Sequence, residues 1–410
     1  MISYARLRRG LRSLRSYNYD VPWCVPPWGV RELRASMLPV YGRAISGPNP
    51  SHFARAIAQE LGVAFAVPFN RGRTAIGVAL RALEIESGSE VVVPAYVCQT
   101  AVDGIRYAGM SPVFADIADD LHVSVQSVAA VTTASTRCIL VPHLFGGSAP
   151  IAELEAFARS RKIALIDDAA QSFGARVGGQ LVGTFGDCGI VSIGPGKSLA
   201  GPAGAVMVTN SEHLYRRALE LSMTLPEEAA VTVIRRIGSY WVWRRFRRYT
   251  GAAHQLWERL STRPRAHVHA RMSNADAALG LAQLRSSRSN ARARGANVTA
   301  LLTALGPFAD YAVGTIADEA MYLKLVLILP PNGPTVSAFV GALAAVGVEA
   351  QGGYRPCNFD DRAGVPLART EELWERVVCL PTETTPSEAV CSRVAESVAT
   401  LFAGVPSAVG

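Results

Sequence analysis

The stretch Ile163-Ala-Leu-Ile-Asp167-Asp168-Ala-Ala-Gln171, with Gly189-Ile-Val-Ser-Ile-Gly-Pro-Gly-Lys197-Ser-Leu-Ala-Gly-Pro-Ala-Gly-Ala-Val-Met-Val208 shortly after it, decides how the chain folds. Residues 163–167, 188–193 and 204–209 read as short apolar strands without polar alternation. Unbroken runs of this kind are buried on both faces, which is the pattern of a parallel sheet covered by helices. Working outward, further strands are predicted at 65–68, 90–96, 112–117 and 138–144. Helices are predicted at 51–61, 75–83, 100–108, 123–129, 150–161 and 211–221. Strand and helix alternate, so the fold class is α/β with a mainly parallel central sheet and right-handed crossovers.

Beyond this region a long helix is predicted over 274–297, then a smaller α/β unit. That unit has strands at 321–329 and 378–380 and helices at 335–346 and 388–402. Two domains are therefore expected, 1–265 and 266–410, the first carrying an N-terminal arm. A chain of 410 residues is long enough for both. With 49% hydrophobic and 18% charged residues it is globular, and no apolar run approaches the length of a membrane span. The N-terminus is basic, with a short amphipathic helix expected over 6–15, but it lacks the apolar core of a secretory signal. Seven cysteines without paired spacing speak against a zinc site or a disulfide framework, and reduced thiols in the cytoplasm are the expectation.

Lys197 is flanked by Gly194, Gly196, Ala200 and Gly201, which let a planar ring approach the backbone. Asp168 ends a buried strand. A lysine amine and a carboxylate so placed suit pyridoxal 5'-phosphate: the amine forms a Schiff base with the aldehyde, and the acid holds the pyridine nitrogen protonated. Gln171 can reach the ring hydroxyl. Arg73 and Thr74, at a glycine turn that opens a helix, form an anion site for the phosphate, and Ser192 can add a hydroxyl. A nucleotide-binding P-loop at Gly196-Lys197-Ser198 is disfavoured. It needs glycine six residues before the lysine, where Val191 stands, and Pro195 removes a donor from the cradle.

These segments, with Glu90-Val-Val-Val-Pro-Ala-Tyr96, Pro142-His-Leu-Phe-Gly146, Arg271-Met272 and Ala277-Ala-Leu-Gly-Leu-Ala-Gln-Leu284, resemble the DegT/StrS nucleotide-sugar aminotransferases over roughly residues 45 to 402. The resemblance implies fold type I, aspartate-aminotransferase-like, and a homodimer. It also implies the roles given above for Lys197, Asp168, Gln171 and Ser192, and a phosphate contact from the backbone at Arg73 and Thr74. Arg271 is implied to reach the neighbouring subunit's cofactor. The implied activity is transfer of an amino group from an amino acid, L-glutamate by analogy, to a keto-sugar nucleotide or another ketone such as a cyclitol.

The chain departs from the family pattern at three places. Cys98 stands where an aromatic residue usually stacks on the ring, leaving Tyr96 as another source of stacking. His269 replaces an asparagine, and Pro356-Cys357-Asn358 replaces a Pro-x-His pattern. Candidate substrate contacts are His143, Tyr354 and Asn358. Three alternatives remain open: a sugar dehydratase of the same fold, whose usual loss of the lysine counts against it here, a non-catalytic regulatory protein that binds the cofactor, and a nucleotide-triphosphate enzyme.

The formal charge is +8, with arginines concentrated at 6–15 and 235–248. Residues 231–265 are expected to be an irregular insertion of interleaved aromatics and arginines, a lid or subunit contact, or a peripheral attachment to an acidic membrane. Nothing else in the chain favours nucleic acid.

Overall fold

The computed structural model describes residues 19–24, 28–246, 269–313, 320–357 and 366–403. Helix α1 spans Val30–Ser36 and α2 spans Asn49–Leu61. Strand β1 (Phe65–Phe69) leads into α3 (Gly72–Ala82), β2 (Glu90–Pro94) into α4 (Gln99–Tyr107), and β3 (Ser111–Ala115) into α5 (Val125–Val131). Strand β4 (Thr136–Pro142) precedes α6 (Ile151–Arg161), and β5 (Ala164–Asp168) follows. A small hairpin, β6 (Arg176–Val177) and β7 (Gln180–Leu181), separates β5 from β8 (Cys188–Ser192). Then come β9 (Ala205–Thr209), α7 (Glu212–Met223), α8 (Ala230–Phe246) and α9 (Asn274–Leu305).

The main sheet has seven strands in the order β1-β9-β8-β5-β4-β2-β3. The β2–β3, β2–β4, β4–β5 and β5–β8 pairs are parallel, while β9 runs antiparallel to both neighbours. The sheet is thus parallel except for β9, as the continuous apolar runs predict. Its two faces are covered by separate cores. One is built around Val91, Leu140 and Leu80 with α3 and α4, the other around Val92, Ile139 and Leu154 with α5 and α6.

The second sheet holds β10 (Ala312–Val313), β11 (Lys324–Ile328), β13 (Val377–Pro381) and β12 (Gln351–Gly352), all antiparallel. Helices α10 (Val336–Ala345) and α12 (Glu388–Leu401) pack on it with the far end of α9, and α11 (Ala368–Leu373) precedes β13. Helix α9 runs eight residues past the expected 297, so one rigid rod joins both sheets. The expected domain boundary at 265–266 and the expected helix at 6–15 lie outside the described residues.

The insertion corrects the sequence expectation. Within the described residues it is a helix, α8, not an irregular segment. Its burial depends on partners remote in sequence. Arg236 makes a fork to Glu228 with two bonds of 2.8 Å and also meets Asp276 on α9. Val233 and Ile237 pack against Ala275 and Leu279, and Trp28 lies against Tyr240 and Trp241. The remainder of the insertion, 247–265, lies outside the described residues. Among the described residues no helix is long and apolar enough to cross a membrane.

Candidate active site

The carboxyl ends of five parallel strands open on one cavity of about 230 Å³. Ligands of open α/β sheets gather at that edge, because loops there can turn side chains inward without breaking the sheet. Strand β1 delivers Arg71, Gly72 and Arg73; β2 delivers Val97 and Cys98; β4 delivers Pro142 and His143. Strand β5 supplies Asp168 and Gln171, and β8 supplies Ser192 and Lys197.

Successive strand residues face opposite ways, so the two adjacent acids divide their work. Asp167 is sealed inside. One of its oxygens meets His143 Nε2 at 2.7 Å, and the other accepts the N–H groups of Gly183 (2.6 Å) and Phe185 (3.1 Å). Asp168 lines the cavity and is 6% exposed. The one hydrogen bond that its carboxylate accepts among the described residues comes from the Ala170 N–H at 3.0 Å. Burial pushes its carboxyl above the ordinary value of 3.8, against the pull of the Lys197 ammonium. A buried carboxylate this poorly partnered suits a cationic N–H donor.

Gln171 is oriented by two donors to its carbonyl oxygen, the Phe145 N–H and the Tyr354 hydroxyl, each at 3.3 Å. Those bonds leave the amide N–H₂ as the end available to the cavity. At the opposite wall, Gly72 and Arg73 are the first two residues of α3, where N–H groups have no carbonyl within the helix to bind. A Cβ on Gly72 would lie 3.6 Å from Ser192 Oγ, so glycine leaves room between helix end and hydroxyl. The Arg73 guanidinium sits 3.5 Å from Asp103. A carboxylate, an amine, an amide and an anion-binding helix end around one small cavity fit the parts of pyridoxal phosphate. The residues present therefore suit that group.

Several expected contacts are placed differently. Thr74 is absent from the cavity wall: its hydroxyl pairs with Asn70 and His269, and its N–H binds the Arg71 carbonyl. The helix-end donors are thus Gly72 and Arg73. His143 reaches the wall with both ring nitrogens engaged, since Nδ1 accepts the Ala149 N–H at 2.9 Å and Nε2 donates to Asp167. It has no ring nitrogen left for a substrate. Tyr354 spends its hydroxyl on Gln171 and stacks on Phe145, with ring centroids 5.5 Å apart. Tyr96 is fully buried and accepts the Tyr354 N–H, so it does not stand in for the missing stacking ring. Cys98 does form part of the wall, its Sγ 3.2 Å from Thr100 Oγ1.

Arg271 lies outside this cavity. It is about half exposed and pairs with Glu227 at 3.1 Å. Asn358 falls outside the described residues. Arg71, which also lines the cavity, was missed by sequence reasoning; it adjoins the recognised glycine turn, and its guanidinium binds the Pro202 carbonyl beyond Lys197 at 3.3 Å.

Comparison with known proteins gives the same picture. The model of the DegT/DnrJ/EryC1/StrS aminotransferase family matches residues 35–399. GDP-perosamine synthase of Escherichia coli O157:H7 is 33% identical over 168 residues, 41% of this chain and 46% of that protein. UDP-N-acetyl-3-dehydro-alpha-D-glucosamine 3-aminotransferase of Acidithiobacillus ferrooxidans is 38% identical over 165 residues, 38% of this chain and 45% of that protein. The chain spans about half the length of the curated relatives it matches. Among solved structures, Helicobacter pylori PseC, an aminotransferase involved in the biosynthesis of pseudoaminic acid, superposes with a TM-score of 0.74 at 16% identity, covering 95% of this chain and 100% of that one. The fold is the type I fold of pyridoxal-phosphate-dependent aminotransferases, as the resemblance implies.

Proposed function

The chain belongs to the DegT/DnrJ/EryC1/StrS aminotransferase family, and from that premise we propose that it moves an amino group from an amino acid, L-glutamate, to the ketone of a nucleotide-activated sugar. The observation that carries this reading is the convergence of Lys197, Asp168, Gln171 and the Gly72–Ser192 gap on a single cavity. Pyridoxal phosphate, when bound, supplies an electron sink that makes the carbon bearing the nitrogen acidic.

The protein's own groups do the rest. With that group in place, Lys197 Nζ would take the proton from that carbon and deliver it to the carbon on the other side of the nitrogen, acting first as base and then as acid. Asp168 holds a proton on the ring nitrogen through its buried carboxylate, and its low-dielectric surroundings strengthen that contact. Gln171 donates from its amide N–H₂ to the ring oxygen. The N–H groups of Gly72 and Arg73, the α3 dipole and Ser192 Oγ hold the phosphate, which prevents drift while the amine changes hands. Ile76, Val97, Ala101, Ile190 and Ile193 supply apolar parts of the wall. The same chemistry in reverse aminates the acceptor ketone. Arg271, exposed at the surface, fits a contact to a second copy of the chain in a homodimer.

The test is spectroscopic. Purified holoprotein shows a visible band, and adding L-glutamate bleaches it as the amino group is accepted. Lys197→Ala abolishes both the band and turnover. Normal turnover by Lys197→Ala would overturn the assignment, and bleaching by L-glutamine alone would replace the donor but leave the chemistry.

A further inference from the structure

We propose that Gln283 and Arg294, two side chains of α9 outside the cavity, are positioning residues that set where Lys197 stands relative to Asp168. The proposal rests on Lys197 being the reacting amine. The loop between β8 and β9 is shaped by its own backbone: Ile193 N–H binds Gly204 O at 2.8 Å, Gly194 N–H binds Leu199 O at 3.2 Å, and Lys197 N–H binds Gly194 O at 3.2 Å. Gly196 at φ +69° permits the tight turn beside the lysine. These local bonds fix the loop's form. They say nothing about its distance from Asp168, which sits on β5.

Pairing of β8 with β5 fixes the root of the loop, and its far part, which carries Lys197, is held from outside. Ala200 N–H binds Gln283 Oε1 at 3.3 Å, Trp28 Nε1 binds Ala200 O at 3.3 Å, and Arg294 Nη2 binds the Lys197 carbonyl at 3.3 Å. Gln283 and Arg294 are eleven residues apart, close to three helical turns, so they project from one face of α9. Each is itself held. Gln283 is fully buried and donates to Glu32 Oε1 at 2.8 Å, while the other oxygen of Glu32 accepts the Gly29 N–H at 2.8 Å. Because a carboxylate only accepts, this contact fixes the Gln283 amide with its oxygen toward Ala200.

Arg294 is anchored by Glu383, just past β13 of the second sheet, at 3.4 Å, and Lys324 Nζ lies 4.0 Å from the same carboxylate. Glu383 Oε2 has no hydrogen-bond partner among the described residues. Two buried cations around one carboxylate, with an arginine spent on a main-chain carbonyl, is a costly arrangement for stability alone. It makes physical sense if the position of the Lys197 backbone matters. Through Arg294 and Glu383 that position is tied to the second sheet, and through Gln283 and Glu32 to the N-terminal segment.

The experiment compares two cofactor forms on Gln283→Met and Arg294→Met. Pyridoxal 5'-phosphate condenses with the Lys197 amine, releasing one water, and its visible band reports the lysine's placement. Pyridoxamine 5'-phosphate makes no bond to the lysine and reports the rest of the cavity. The expected result is about a fivefold loss in the equilibrium and rate of lysine attachment, what one hydrogen bond of ordinary strength is worth, with pyridoxamine phosphate affinity unchanged. Unchanged attachment overturns the proposal. So does a parallel fall in pyridoxamine phosphate affinity, which would mean the whole cavity has shifted. If Arg294→Met does not fold, Gln283→Met alone decides. Absence of any visible band in the unsubstituted protein would instead refute the assignment of Lys197 itself.

Discussion

Replacing Asp168 by asparagine should move two properties in opposite directions. In the empty protein the carboxyl is buried, accepts one hydrogen bond, and has its pKa raised above 3.8 chiefly by burial. A raised carboxylate pKa means that ionisation opposes folding. The penalty is absent below the ordinary pKa and grows as pH rises through the folded one. Asp168→Asn removes it, so the empty variant should be more stable than the parent at pH 8, and the gap should narrow toward pH 4. In its proposed role with the cofactor bound, the same carboxylate would meet a cationic ring N–H. A hydrogen bond to a charged group is worth about 1.5–3 kcal/mol, so losing it should weaken pyridoxamine 5'-phosphate binding by about 10- to 150-fold. The assays are urea unfolding of the empty proteins at both pH values, and fluorescence titration with pyridoxamine phosphate. A less stable empty variant, or unchanged cofactor affinity, refutes the role given to Asp168.

Gly72→Ala should fold normally, since the added methyl meets Ser192 Oγ at an ordinary 3.6 Å, yet it narrows the phosphate gap and should lower inorganic phosphate and cofactor affinity in equilibrium dialysis. Tyr354→Phe deletes one donor to Gln171; with a bond worth about 1 kcal/mol, kcat/KM should fall about fivefold with little change in melting temperature. Arg236→Met leaves Glu228 and Asp276 buried without their cation, and chemical denaturation should show a loss of about 3–5 kcal/mol.

The parts of this molecule that sequence reveals are those governed by near neighbours. Strands β2, β4, β5 and β8 were legible because burial on both faces writes a continuous apolar run. The gathering of Asp168, Gln171, Ser192 and Lys197 at one edge was legible because each ends or closely follows such a strand. Helix α8 was not, because its buried face includes Arg236, a residue that enters a core only when remote carboxylates wait there. Tyr354 read as a substrate wall, yet its hydroxyl goes to Gln171, 183 residues away. Local pattern holds no trace of such a bond. His143 beside Pro142 read as a substrate contact for the same reason: its two partners, Asp167 and Ala149, emerge only once β4 and β5 lie side by side.

The cavity's size separates chemistry from specificity. At about 230 Å³ it falls below the roughly 300–1,000 Å³ typical of sites that enclose a drug-sized ligand. It has room for one substituted ring and the reacting end of a substrate, not for a sugar and its nucleotide together. Every group assigned a chemical step lies inside it, on the carboxyl ends of strands whose positions the sheet enforces. The bulk of the proposed nucleotide-activated acceptor is therefore expected to be recognised outside that edge. Substitutions at Asp168, Gln171 or Lys197 should then impair every amino donor and acceptor alike, whereas changes of acceptor preference should map to residues beyond the cavity wall.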